Sequence, residues 1–188
     1  MQLPYPPPAP RSVQAPARTT HRLVTLRDGG RVLLRPLRPS DREVYLRGFE
    51  HLGSASRYMR FFSPKALLTE RELHYFLEVD HHDHEAICAT DLATGDGIAV
   101  GRFVRDPAEP TVAEVSITVV DEHQGRGLGA ALLEYVALRA AEEGVARLRA
   151  SVLADNHRML TLIRTRWPRH RVHRGAASVL ELEFDVRR

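Results

Sequence analysis

Residues 115–133 read VSITVVDEHQGRGLGAALL, and this stretch decides the fold. Its β-branched residues predict a strand over residues 111–120, and the apolar spacing after the glycines predicts an amphipathic helix over residues 128–143. A helix start carries unpaired backbone N–H groups and partial positive charge, and glycines let a ligand approach the backbone closely. The stretch is therefore typical of a strand–turn–helix unit that binds a phosphate or a pyrophosphate.

Two motifs fit the glycine-rich turn. Residues 125–130 satisfy the dinucleotide-binding pattern G-x-G-x-x-A, whereas residues 124–129, Q-x-x-G-x-G, resemble the pyrophosphate loop of the GNAT superfamily, the acetyl-CoA-dependent N-acyltransferases. Context disfavours the dinucleotide motif, because four polar residues follow the strand and Val145 stands where an acidic residue would bind a ribose. A helix start with ordinary glycines is the third interpretation.

Composition limits the classes of protein that this chain can represent. Its 188 residues predict one domain over 21–188, preceded by a disordered, proline-rich tail over 1–20. No apolar run reaches the length of a membrane span, and a formal charge of +3 is too small to indicate a nucleic-acid partner. Cys88 is the only cysteine, which fits a reducing compartment, so we expect a cytoplasmic protein that is a monomer or a homodimer.

The remaining patterns predict a mixed α/β layer with antiparallel strands first and a parallel crossover later. Ser40 is the predicted N-cap of the first helix, and Thr69 begins a capping box. The predicted strands are 32–35, 84–91, 98–105, 111–120, 147–153 and 180–186; the predicted helices are 40–52, 69–78, 128–143 and 155–166.

This order of elements, together with the loop, resembles the GNAT fold over residues 23–186. Residues 113–119 look like the family's fourth strand, and residues 152–160 look like its fifth strand and the helix after it. The resemblance implies a central mixed sheet of six to seven strands with helices on both faces. It also implies that the fourth and fifth strands splay apart, with the pantetheine arm of acetyl-CoA in the gap.

Glu114 is the predicted catalytic base. It matches the catalytic glutamate of the family's protein-acetylating members, and the two-residue period of a strand places it on the face of Ser116 and Thr118. Its apolar sequence neighbours, Ala113 and Val115, predict a raised pKa. The alternative is a solvated glutamate on the strand face.

The resemblance also implies a set of cofactor-binding residues. Backbone groups of the fourth strand would pair with the pantetheine amides, and N–H groups of the loop would hold the pyrophosphate, with Arg126 adding positive charge. Asn156 is placed like the family's cofactor-side asparagine, or else caps the last helix. The full set is Ile117, Thr118, Val119, Gln124, Gly125, Arg126, Gly127, Leu128, Gly129, Ala130 and Asn156.

One part of the family pattern is missing. Many members carry a tyrosine that protonates the leaving thiolate; here that position is Ile163, and the usual Gly-Phe after the helix is Trp167-Pro168. The sequence thus predicts that the thiolate leaves unprotonated or takes a proton from water, and Tyr58 is a candidate substitute acid.

A metal site is not predicted. His81, His82, Asp83 and His84 are too close along the chain to present tetrahedral ligands alone, so they are interpreted as a polar loop.

A narrower resemblance concerns the acceptor. Residues 35–41, 56–62 and 79–80 look like the GNAT domain of Pat-type protein lysine acetyltransferases. This implies direct attack by the side chain of a protein lysine on acetyl-CoA. The alternatives are a small-molecule amine as acceptor, or an inactive domain that binds acyl-CoA as a sensor or scaffold.

Overall fold

A computed structural model describes residues 21–175 and 178–187 of the chain; the predicted tail over 1–20 lies outside the described residues. The described residues form one mixed sheet in the order β1-β2-β3-β4-β5-β6-β8-β7. The strands are β1 (Arg22–Thr25), β2 (Arg31–Pro36), β3 (His84–Asp91), β4 (Gly97–Arg105), β5 (Val112–Val119), β6 (Arg147–Leu153), β7 (Arg171–Arg174) and β8 (Val179–Asp185). The helices are α1 (Arg42–Glu50), α2 (Ser54–Phe61), α3 (Glu70–Leu77), α4 (Leu128–Glu142) and α5 (His157–Arg166).

Strand pairing in this sheet is antiparallel except for one parallel pair. The pairs from β1 to β5 are antiparallel, β5 and β6 are parallel, and β6, β8 and β7 are again antiparallel. A parallel pair needs a crossover connection, and α4 supplies it. The predicted mixed α/β fold is confirmed. The sheet has eight strands rather than six to seven, because β1 and β7 add one strand at each edge.

Side-chain alternation gives the sheet two different faces. Odd-numbered residues 115–119 of β5 pack into the core beneath α4, while even-numbered residues 116 and 118 line a cavity beside α1 and α2. Helix α4 lies close to the sheet at Gly101, where a Cβ atom would come within 2.8 Å of Val136 and 2.9 Å of Leu132. A side chain at this position would therefore push α4 away from β4.

Helix α2 was not among the predicted elements. Its N-cap, Gly53, has no side chain to signal a helix start. Instead, the carboxylate of Asp121 accepts a hydrogen bond from the N–H of Gly53 at 2.9 Å. This contact joins segments far apart in sequence, so α2 depends on tertiary structure.

The prediction that Ser40 caps the first helix is wrong. Residues Pro39–Asp41 form a 3₁₀ turn, and α1 begins one residue later, at Arg42. The carboxylate of Asp41 closes this turn by accepting a hydrogen bond from the N–H of Arg38 at 2.8 Å. The aspartate, rather than the serine, thus organises the helix start.

Within the described residues, no helix is both long enough and apolar enough to span a bilayer.

Candidate active site

Strands β5 and β6 form a fork. They pair over three positions, the last of which joins Glu114 to Arg149. Within the described residues, β5 then continues to Val119 and β6 to Leu153 without further pairing to each other. The open edge of β5 can accept an extended molecule by backbone hydrogen bonds, as a sheet edge accepts a peptide. The predicted divergence of the two strands is confirmed.

The fork leads to the N-terminus of α4, which has an unusual start. Gly125 and Gly127 adopt left-handed φ values of 77° and 93°, which glycine reaches without strain. Gly127 is the N-cap and has no side chain to offer, so no side-chain hydrogen bond closes this helix start. The N–H groups of residues 128–130 therefore face a position that suits a phosphate.

Two other helices, α3 and α5, do have a side-chain cap. Thr69 caps α3, and the Oδ1 atom of Asn156 caps α5 by accepting a hydrogen bond from the N–H of Met159 at 3.1 Å. Asn156 thus has the capping role that was its alternative interpretation; a contact of its amide nitrogen with a cofactor stays a prediction.

Side chains of the loop hold it in place. Gln124 donates to the carbonyl of Val119 at 3.0 Å and to the hydroxyl of Ser56 at 3.1 Å, which ties the loop to β5 and α2. Arg126 pairs with Asp28 of the β1–β2 turn, and its hydrogen bond lowers the pKa of that aspartate. The role of Arg126 toward phosphate stays a prediction, because its charge already has a partner.

Arg27 lies beside the loop and was not among the predicted site residues. Its backbone N–H donates to the carbonyl of Arg126 at 3.1 Å, and its side chain lies against Gly127. Only the β1–β2 turn brings it there, so no local sequence signal marks it.

Glu114 lies at the branch point of the fork. Solvent reaches its side chain, yet the protein atoms packed around it displace enough water to raise the pKa of its carboxyl group. The positive charge of Arg60 opposes this rise, and the negative charge of Glu181 adds to it. The direction agrees with the prediction, but the reason differs, because Ala113 and Val115 belong to the core on the opposite face.

Arg60 is the second site residue that the sequence did not predict. Its segment, residues 56–62, entered the sequence analysis only through the resemblance to Pat-type domains, yet the arginine interacts electrostatically with Glu114. Its guanidinium lies 5.1 Å from the ring centroid of Phe61, and burial lowers its pKa.

Two positions, Ile163 and Tyr58, bear on the question of a general acid. Ile163 is fully buried in the core and has no ionisable group, so it supplies no proton. Tyr58 is 43% exposed on α2, and its role as a substitute acid stays a prediction.

The histidines at positions 81 and 84 bind other side chains of the protein. The Nδ1 atom of His81 lies 2.7 Å from a carboxylate oxygen of Glu85, and the Nε2 atom of His84 accepts a hydrogen bond from Arg102 at 2.9 Å. Burial, followed by the charge of Arg102, lowers the pKa of His84 to about 3. In the part of the chain that the structure describes, no group of three or more His, Cys, Asp or Glu side chains could hold a metal ion.

Gly129 allows a test of the loop. A Cβ atom there would lie 3.5 Å or more from its neighbours, which is ordinary contact, so the fold itself tolerates alanine. A ligand bound against the first turn of α4 would collide with this Cβ atom. We expect Gly129→Ala to keep or raise the melting temperature while it weakens acetyl-CoA binding about tenfold or more, measured by calorimetry.

Gly144→Ala is the matched control for Gly129→Ala. Gly144 follows the other end of α4 and has a left-handed φ of 81°. Alanine should therefore lower the melting temperature there without affecting acetyl-CoA binding. Unchanged affinity in Gly129→Ala would contradict the assignment of this turn to the cofactor.

Comparison with known proteins identifies the family of this chain. The model of the acetyltransferase (GNAT) family matches residues 53–165. The fold is that of GNAT acetyltransferases, and the chain belongs to the acetyltransferase (GNAT) family.

Relatives of the Pat type are similar over most of this chain. Acetyltransferase Pat of Mycolicibacterium smegmatis is 41% identical over 136 residues, covering 72% of this chain and 40% of the relative. The crystal structure of the GNAT domain of S. lividans PAT superposes with a TM-score of 0.83 at 34% identity, covering 92% of this chain and 99% of that domain. A cAMP-binding acyltransferase from Mycobacterium smegmatis has a TM-score of 0.63 at 34% identity, covering 90% of this chain and 48% of that protein. The chain therefore spans less than half the length of its mycobacterial relatives in both of these matches.

Proposed function

We propose that this protein transfers the acetyl group of acetyl-CoA to a primary amine by direct attack, and that the acceptor is the side chain of a protein lysine. One observation carries the proposal: Glu114 occupies the last paired position of the fork, where the thioester end of an extended cofactor would meet the acceptor. The similarity to Pat-type proteins supports the lysine acceptor. The single cysteine supports a reducing, cytoplasmic location.

The first step that this arrangement supports is removal of a proton from the lysine ammonium group. A lysine amine has a pKa of about 10.4, so making it neutral at pH 7 costs roughly 4–5 kcal/mol. Glu114 accepts that proton directly or through water. The neutral nitrogen attacks the thioester carbonyl, a C–N bond forms, and the C–S bond breaks, while the nitrogen releases its second proton to water as it becomes the amide N–H. The electron pair leaves with the sulfur of CoA, which stays a thiolate or takes a proton from water.

The proposal is tested by measuring CoA release and the transfer of labelled acetyl groups. The acceptors are a bacterial protein lysate and a panel of small amines. We expect label on protein lysines, and we expect Glu114→Gln to lose it. Transfer to small amines alone would favour a small-molecule acetyltransferase. Tight acetyl-CoA binding without CoA release to any acceptor would favour a sensor or scaffold.

A further inference from the structure

A cavity of about 50 Å³ lies between the sheet and helices α1 and α2. Ser116 and Thr118 of β5 form part of its wall, so it adjoins the strand that carries Glu114. Most of the lining is apolar, with side chains such as Leu37, Phe49 and Phe61. Two arginines, Arg60 and Arg102, also line it.

Arg102 is a buried charge for which the described part of the chain supplies no counterion. It is 4% exposed and donates to His84 at 2.9 Å, to the carbonyl of Phe76 at 3.3 Å and to the hydroxyl of Tyr45 at 3.5 Å. None of these groups is negatively charged. Among the described residues, no carboxylate lies within ion-pair distance of the Arg102 guanidinium. A buried charge normally needs an opposite one, because removing an ion from water is costly.

Arg60 adds a second positive charge to the same cavity. The guanidinium carbons of Arg60 and Arg102 lie 5.9 and 4.7 Å from the ring centroid of Phe76, so the two charges share one aromatic neighbour. Their mutual repulsion contributes to the lowered pKa of Arg60. The negative charge of Glu114, at the fork, partly offsets this lowering of the Arg60 pKa.

Arg102 and Arg139 are the two buried arginines among the described residues. Arg139 contacts the carboxylate of Glu85, whereas Arg102 has no carboxylate partner. The cavity thus holds the buried guanidinium group for which an anion is missing. Its size suits a carboxylate on one or two carbons, and guanidinium groups bind carboxylates in a forked geometry.

We propose that Arg102 and Arg60 bind a carboxylate of the acetyl acceptor, so that the protein selects amines with a carboxylate nearby. In a protein acceptor, this is an Asp or Glu side chain next to the reacting lysine. The inference rests on the proposed acetyl transfer. The acceptor is favoured over the acyl chain as the source of the carboxylate, because a cofactor paired with the open edge of β5 would lie on its β6 side, while the cavity lies over β4 and β5 beneath α1 and α2.

The first arm of the test uses two lysine peptides that differ only in Glu or Gln beside the lysine. We expect kcat/KM to be about tenfold higher for the Glu peptide, and the ratio to fall to about one in Arg102→Gln. Arg102→Lys keeps the charge and should keep part of the preference, which controls for misfolding. Arg105→Gln is the matched control, because this arginine ends the same strand but pairs with Asp83. An equal rate for both peptides in the wild type would overturn the inference while leaving acetyl transfer intact.

The second arm measures binding without catalysis. Succinate should bind the wild-type protein, seen by calorimetry and as a rise in melting temperature, and should not bind Arg102→Gln. If no acceptor is acetylated but this binding is found, the proposed function fails and the anion site stands. Absence of succinate binding in the wild type would remove the anion site itself.

The third arm distinguishes the two sources of the carboxylate. Succinyl-CoA replaces acetyl-CoA as donor with the Gln peptide as acceptor. We expect Arg102→Gln to affect both donors equally. A selective loss with succinyl-CoA would place the carboxylate on the acyl chain and overturn the acceptor assignment.

Discussion

Replacing Glu114 by Gln is expected to lower kcat for acetyl transfer by about 10²–10⁴-fold, the usual contribution of a general base. Glutamine keeps the size and hydrogen-bonding ability of the side chain but cannot accept the proton of an ammonium group. Glu114 does not belong to the loop at α4, so the affinity for acetyl-CoA should change little. Steady-state kinetics at saturating acetyl-CoA, with calorimetric binding in parallel, measure the two quantities. A kcat within a few fold of wild type across the pH range would contradict the assignment.

The pH profile should carry the signature of the same carboxylate. A base works only when it is ionised, and the surroundings of Glu114 raise its pKa above the ordinary 4.5. The acid limb of kcat/KM in the wild type should therefore lie above that value, with activity rising as the pH rises through it. Glu114→Gln should lack this limb. Glu181→Gln should move the limb to lower pH, because the negative charge of Glu181 helps to raise the pKa of Glu114.

The melting temperature of Glu114→Gln shows whether lost activity comes from the missing base or from unfolding. The folded-state pKa of Glu114 is raised, so its contribution to stability is present below the unfolded pKa and is lost as the pH rises through the folded pKa. At neutral pH the fold thus holds a charge that its surroundings disfavour. Glu114→Gln removes that charge and should melt at the same or a higher temperature than wild type at pH 7 and above.

The elements predicted well from sequence are those with strong local patterns. Bounds of β3 and β6 agree with the prediction, since β-branched and apolar residues lie between clear turn signals. Helix α4 starts at Leu128, as its glycine corner predicts. By contrast, β1 is mostly exposed and α2 begins at an uncapped glycine, so tertiary pairing rather than local pattern determines both.

The candidate site also has parts that local sequence predicts and parts that only tertiary contacts determine. Its backbone parts, the fork and the loop, follow from a strand and a helix that local sequence specifies. The environment of Glu114 does not, because Arg60 and Glu181 reach it from α2 and β8. Arg102 could not be predicted either, because an arginine within a strand is ordinarily interpreted as solvated. Its burial depends on helix α3, where the carbonyl of Phe76 accepts its hydrogen bond.

Replacing Arg139 by Met is expected to destabilise the fold by about 3–5 kcal/mol, the usual result of breaking a buried ion pair by removing one partner. Arg139 of α4 lies over Glu85 of β3, whose side chain is 1% exposed, with two nitrogen atoms 3.3 Å from one carboxylate oxygen. Glu142 and Glu143 also contact the guanidinium, so its loss leaves three carboxylates without their shared cation. Urea denaturation at pH 7 measures the free energy of unfolding.

The double variant Glu85→Leu/Arg139→Met decides what the ion pair contributes. Removing both charges from a buried pair is often neutral or stabilising, so this variant should recover most of the stability lost in Arg139→Met. The difference between single and double variants gives the coupling energy of the pair. If Arg139→Met alone cost less than about 1 kcal/mol, water would have to reach Glu85. The pair joins β3 to the helix whose first turn is the proposed pyrophosphate site, so a loosened α4 should also raise the KM for acetyl-CoA in Arg139→Met, and the double variant should restore it.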